Sequence, residues 1–168
     1  MKKRKRPVEA VLKIAIVVVG ALKRAHIREA IEEYIKRLKR YTTVELVKVK
    51  AGAGSDSLTR EELLRKEAER LERVLKKEDL LVVLDEKGKA LTTAEFSRWL
   101  EDTINLSGRK RVCFVVGGSY GLSETIKKRA HRVMSLSKLT LPYELATLVL
   151  AEQLYRAFTI IKGEPYSH

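Results

Sequence analysis

The chain of 168 residues has one cysteine, three histidines, one asparagine and one glutamine. A lone thiol, Cys113, cannot close a disulfide within one chain, which excludes a stapled secreted scaffold and accords with a reducing cytoplasm. It lies inside an apolar run and reads as a small core residue. His26, His131 and His168 are scattered without the spacing of a ligand set, so no metal site is expected. No apolar run approaches the roughly 20 residues of a membrane-spanning helix. The P-loop, the six-residue dinucleotide fingerprint, the nucleophile elbow, a Cys–His pair and a closely spaced carboxylate pair are all missing.

Acidic residues are also in deficit. Against 35 Lys and Arg stand 22 Asp and Glu, for a net charge of +13. An excess of this size favours a polyanionic partner, with RNA, DNA and an anionic membrane surface all compatible. The charged fraction of 34% and the scarcity of Asn, Gln and Cys also suit a thermophilic protein. That second reading leaves the basic excess unexplained.

Residues 1–12 form a basic arm, with Lys2 to Arg6 all cationic before Pro7. It is either a solvated end or a supplementary RNA contact. The arm and the apolar residues behind it resemble a signal peptide, but Lys13 interrupts the approach and no small-residue cleavage pattern follows. A first strand over Ile14–Val19 is the better reading, opening one domain over residues 13–168. Helical spacing of apolar residues follows from His26 to Arg40, then an alternating strand over Val44–Val49 and a Gly/Ser loop over Ala51–Ser57. Thr59 with Glu62 and Thr92 with Glu95 are capping boxes, opening helices to about Lys77 and through Ile104. Between them L-L-V-V-L-D is a third strand ending at Asp85–Gly88. A fourth strand begins at Val112, a short helix spans Glu124–His131, and a fifth strand is expected over Leu136–Leu141. The regular alternation defines an α/β fold, a mostly parallel sheet of about five strands with helices on both faces.

The last helix, Glu144–Lys162, is apolar nearly all round and needs cover on several sides, for which a subunit interface is one source. Glu152, Arg156 and Thr159 share a stripe on it, either a buried ion pair or a polar strip facing a ligand. The stretch from Val112 to Leu141 organises the rest. An apolar strand runs into Gly117, Gly118 and Gly121, where backbone can approach a ligand closely. Such loops gather at the carboxyl ends of parallel strands, where open α/β sheets bind ligands. Residue physics alone supports a basic α/β domain with a small-molecule site beside its last two strands.

Four blocks go further: V-V-L-D-E-K-G-K, F-V-V-G-G-S-Y-G-L-S, S-L-S-K-L-T-L-P and A-E-Q-L-Y-R-A-F-T-I-I-K-G-E-P-Y. In this order they resemble the ribosomal RNA large subunit methyltransferase H family, of the SPOUT class, over about residues 12–168. The resemblance implies a trefoil-knotted SPOUT fold, a homodimer, and methylation of N3 of a pseudouridine in large-subunit ribosomal RNA, or in the assembled ribosome, from S-adenosyl-L-methionine. It implies cofactor binding by Leu84, Gly117, Leu136, Ser137, Lys138, Leu139, Thr140 and Leu141, with no metal and no membrane. Arg156 and His168 are candidates for helping the acceptor N–H lose its proton.

Three positions depart from the family pattern. Tyr143 stands where the family commonly has His, Thr147 where it has Arg, and Ser167 where it has His. Two other readings therefore stand beside the first: a non-catalytic RNA-binding protein that keeps the fold, and a methyltransferase acting on another RNA.

Overall fold

The computed structural model describes residues 12–52 and 57–166. The basic stretch before Leu12 and the candidate His168 lie outside the described residues. The elements, in order, are β1 (Lys13–Val19), α1 (Ala25–Leu38), β2 (Val44–Val49), α2 (Arg60–Val74), β3 (Leu80–Ala90), α3 (Thr93–Leu106), β4 (Arg111–Val116), α4 (Glu124–Arg129), β5 (Arg132–Ser135) and α5 (Tyr143–Ile161). The sheet has the order β2-β1-β4-β3-β5, and every pairing between these strands is parallel.

Strand alternation divides the core in two. Ile14, Ile16, Val18, Val82, Val112, Phe114 and Val116 face a layer built from α1, α3 and α5, into which Ile31, Leu100 and Leu154 pack. Ala15, Val17, Val19, Leu81, Val83, Cys113 and Val115 face the other way, against Leu71 of α2 and Ile126 of α4. Strands buried on both faces read as continuous apolar runs, as parallel sheets require. Cys113 has no exposed surface, and burial pushes its thiol up to about 12. Both capping boxes form: Thr59 Oγ1 accepts from the Glu62 N–H at 3.2 Å while Glu62 accepts from the Thr59 N–H at 2.7 Å, and Thr92 with Glu95 repeats both distances.

Two elements differ from the expectation. The fifth strand is Arg132–Ser135, not Leu136–Leu141. The later stretch alternates in sequence, but its serines turn the backbone out of the sheet: Ser135 Oγ donates to the Ser137 carbonyl at 2.8 Å, and Ser137 Oγ accepts from the Leu139 N–H at 2.9 Å. Leu139 is 76% exposed, so the alternation does not mark a buried face. The third strand does not end at Asp85–Gly88 either. Leu84 and Lys89 are both in register with Met134, so the intervening residues leave the ladder and return to it. Gly88 crosses directly over Met134, where a Cβ would lie 2.7 Å from its carbonyl carbon.

Candidate cofactor site

The carboxyl ends of β3, β4 and β5 converge on a cleft of about 450 Å³. Its walls are Leu84–Lys87 after the regular part of β3, Val116–Gly121 after β4, and the segment following β5, completed by Tyr143 and Ala146 of α5. The volume suits a cofactor-sized ligand. Seven of the eight residues expected to bind the cofactor line it: Leu84, Gly117, Leu136, Ser137, Leu139, Thr140 and Leu141. Lys138 is not among the lining residues.

The glycine turn owes its shape to its own backbone. A Cβ on Gly117 would meet the carbonyl carbon and oxygen of Gly121 at 2.7 Å. Gly121 holds φ at +76° and donates its N–H to the Gly118 carbonyl at 3.0 Å, closing the turn. Gly117 is thus required before any ligand arrives.

Electrostatics are set by groups that the sequence patterns did not single out. Asp85 pairs with Lys127 of α4 at 2.7 Å and accepts the Lys87 N–H at 2.8 Å. Burial pushes the Asp85 carboxyl up, but these two donors outweigh it and hold it below the usual carboxylate range. Glu86 accepts from Thr140 Oγ1 at 2.8 Å, tying the β3 wall to the opposite wall. Arg60 reaches the cleft from the start of α2 and lies against Tyr120 at the tip of the glycine turn. Asp85 and Glu86 follow a buried strand directly, which is a legible signal. Arg60 and Lys127 come from helices remote in sequence, and no local pattern marks them.

Two of the three departures from the family pattern, Tyr143 and Thr147, have structural roles here, and Ser167 lies outside the described residues. The Tyr143 hydroxyl donates to the Ala21 carbonyl at 2.6 Å, with its ring against Gly20. Thr147 is fully buried and its hydroxyl donates to the Tyr143 carbonyl at 2.8 Å. The next carboxylate, Glu144, accepts the N–H groups of Lys23 and Arg24, both at 3.1 Å, and so holds the start of α1 against the start of α5.

Arg156 is not brought to this cleft. It lies ten residues beyond Ala146 on α5, about 15 Å along the helix. There Glu152 accepts from Arg156 Nε at 2.9 Å and from Nη2 at 2.6 Å, and the Tyr166 ring lies 4.0 Å from the guanidinium. The stripe of Glu152 and Arg156 is therefore a half-buried ion pair that secures the C-terminal segment, with the Tyr166 hydroxyl donating to the same carboxylate at 2.9 Å.

Residues 12–168 match the family model described as predicted SPOUT methyltransferase, and the chain belongs to that family. Among curated relatives, the proteins called ribosomal RNA large subunit methyltransferase H from Syntrophomonas wolfei and Acetivibrio thermocellus are each 42% identical to it, over 92% of this chain and 99% of theirs. The protein of the same name from Bacteroides fragilis is 36% identical over 94% of this chain and 99% of its own. A solved structure, a probable methyltransferase from Bordetella pertussis, superposes with a TM-score of 0.56 over 88% of this chain and 95% of its own. At 15% identity that likeness bears on the fold alone.

Proposed function

We propose that this protein methylates large-subunit ribosomal RNA, with N3 of a pseudouridine as acceptor and S-adenosyl-L-methionine as donor. The observation that carries this reading is the convergence of Leu84, Gly117 and the Leu136–Leu141 segment on one cleft in a chain whose curated relatives bear that name. Among the described residues no group of side chains is arranged to hold a metal ion, and no helix is long and apolar enough to cross a membrane. With RNA as substrate, the place of action is the cytoplasm.

The residues present fit the donor. Most of the lining residues belong to the segment after the regular part of β3 and to the loops after β4 and β5, whose N–H and C=O groups would serve the adenine and amino-acid ends. When bound, S-adenosylmethionine supplies an activated sulfonium methyl. The protein's own work is then alignment of acceptor and donor. Leu84, Leu136 and Leu141 exclude water, and the Asp85–Lys127 pair keeps two charges fixed and neutralised at the wall. The acceptor N–H gives up its proton as the methyl arrives, and a base or a cation that favours the anion assists.

Arg156 and His168 remain the candidates for that assistance. Since Arg156 is remote from the cleft of its own chain, it serves only if a second copy supplies it. The homodimer and the shared site thus stand together. The deciding experiment is transfer of labelled methyl to total RNA followed by nucleoside mass spectrometry. Label in N3-methylpseudouridine of the large-subunit RNA is the expected result. Label in another RNA or base would replace the substrate, and a protein that ignores both S-adenosylmethionine and S-adenosylhomocysteine would be a non-catalytic RNA binder.

A further inference from the structure

Five large apolar side chains stand exposed among the described residues, and two of them, Tyr120 and Leu139, line the same cleft. Tyr120 is 53% exposed and sits on the turn that Gly118 and Gly121 close, so its ring is not filling a core. The Arg60 guanidinium lies 5.6 Å from the centroid of that ring, and Arg60 Nη2 donates to the Tyr120 carbonyl at 3.3 Å.

Arg60 is the first residue of α2. A cation there opposes the helix dipole, so helix stability does not account for it. No carboxylate among the described residues lies within ion-pair distance of it. Its position therefore presents a positive charge with no carboxylate partner among the described residues, together with a half-open aromatic ring. Leu84, Gly117 and Leu136, which line the same cleft, are less exposed than Arg60 and Tyr120. A flat base joined to a phosphate has the two features that this pair would recognise.

We propose that Tyr120 is the platform on which a nucleobase of the RNA substrate stacks at the mouth of the cleft, with Arg60 contacting a backbone phosphate beside it. The assignment rests on the RNA-methyltransferase reading and names how that site holds its acceptor strand. One ring face is met by the guanidinium, which fixes the ring while leaving the other face for the base. Leu139, on the opposite wall, supplies an apolar surface facing the same mouth.

The test compares wild type with Tyr120→Ala, Tyr120→Phe and Arg60→Gln in methyl transfer to large-subunit ribosomal RNA, with S-adenosylhomocysteine affinity measured in parallel. Tyr120→Ala should raise the KM for RNA by about 5- to 150-fold, the range of one lost base stack. Tyr120→Phe should restore it, and cofactor affinity should match wild type in both. Arg60→Gln should lower the salt slope of RNA affinity by about 0.7, the share of one single-strand phosphate contact. An unchanged KM in Tyr120→Ala overturns the assignment. So does a loss of cofactor affinity with unchanged RNA affinity, which would place the ring in the cofactor site. If wild type transfers no methyl to RNA, the functional reading fails instead. RNA affinity of the same variants then decides the platform by itself: a loss in Tyr120→Ala upholds it and equality refutes it.

Discussion

Gly88 lies against the backbone of Met134 so closely that a Cβ would stand 2.7 Å from the Met134 carbonyl carbon and 2.8 Å from its nitrogen. The contact joins the excursion in β3 to the strand it crosses, and the same excursion carries Asp85, Glu86 and Lys87 into the cleft. Both neighbours are backbone, so neither can rotate away. Gly88→Ala should therefore cost about 1–3 kcal/mol by overpacking and weaken cofactor binding as the excursion lifts. Urea unfolding and cofactor titration measure the two effects. An alanine variant with wild-type midpoint and affinity would mean that the crossing is looser than described.

The glycine turn makes a second prediction, by contrast between positions. Gly117→Ala meets Gly121 backbone at 2.7 Å and should rebuild the turn, abolishing cofactor binding. Gly121 and Gly108 both hold positive φ, +76° and +64°, with open space where a Cβ would go. Alanine at either should cost about 1–2 kcal/mol from the left-handed backbone. Only Gly121 lies on the cleft, so Gly121→Ala should also weaken cofactor binding while Gly108→Ala should not. Equal cofactor affinity across all three variants would remove the turn from the site.

At the amino ends of the interior strands β3 and β4, Arg111 donates to both Asp79 oxygens, at 2.8 and 2.6 Å, and Asp79 is 1% exposed. Burial pushes the Asp79 carboxyl up, yet the Arg111 hydrogen bonds and the Lys76 N–H prevail and hold it below the usual range. A carboxyl lowered in the folded state contributes stability that is present above its unfolded value of about 4. That stability is lost as pH falls through the folded value. Thermal midpoints should therefore decline below about pH 4. Asp79→Asn should lose about 1–3 kcal/mol at neutral pH, since Arg111 keeps Glu45 at 2.6 Å and the Val74 carbonyl at 3.1 Å but loses its buried carboxylate partner, and should show a flatter acid limb. Matching acid limbs for the two proteins would assign the decline to other carboxylates.

Most of the sheet was legible because it obeys simple periodicities. Apolar runs such as Ile14–Val19 and Val112–Val116 can be buried on both faces only as central parallel strands, and they are. Capping boxes fixed two helix starts for the same local reason. What failed was the Leu136–Leu141 stretch, where alternation mimicked a strand while Ser135 and Ser137 were bonding backbone within two residues. Side-chain competition of that kind leaves no trace in an apolar pattern. The excursion at Asp85–Gly88 was hidden too, since it depends on a crossing with Met134, far along the chain. The cleft residues read from the family blocks converge in space, Lys138 excepted. Arg60 and Lys127 were invisible because tertiary packing alone brings their helices to the rim.

The fourth prediction concerns assembly. In one chain α1 and α3 cover the side of α5 that carries Leu150, Leu154 and Ala157. The opposite stripe keeps Leu145 36% and Ile160 49% exposed, with Val149, Glu152 and Arg156 half-buried between them. Apolar residues at both ends of a helix face, with a self-neutralised ion pair in the middle, suit a two-fold contact with a second copy. Sedimentation velocity at micromolar concentration should show a dimer, and Leu145→Asp with Ile160→Asp should give a folded monomer. Because each chain carries +13, the two copies repel over most of their surface. Added salt should therefore tighten the dimer even as it weakens RNA binding, which loses counterion release. These opposite salt responses separate the two events in one titration. If methyl transfer needs Arg156 from a second copy, the monomeric variant should keep the fold and lose activity. A wild-type protein that stays monomeric at micromolar concentration would leave Arg156 about 15 Å along α5 from the chemistry, and the shared site would fall.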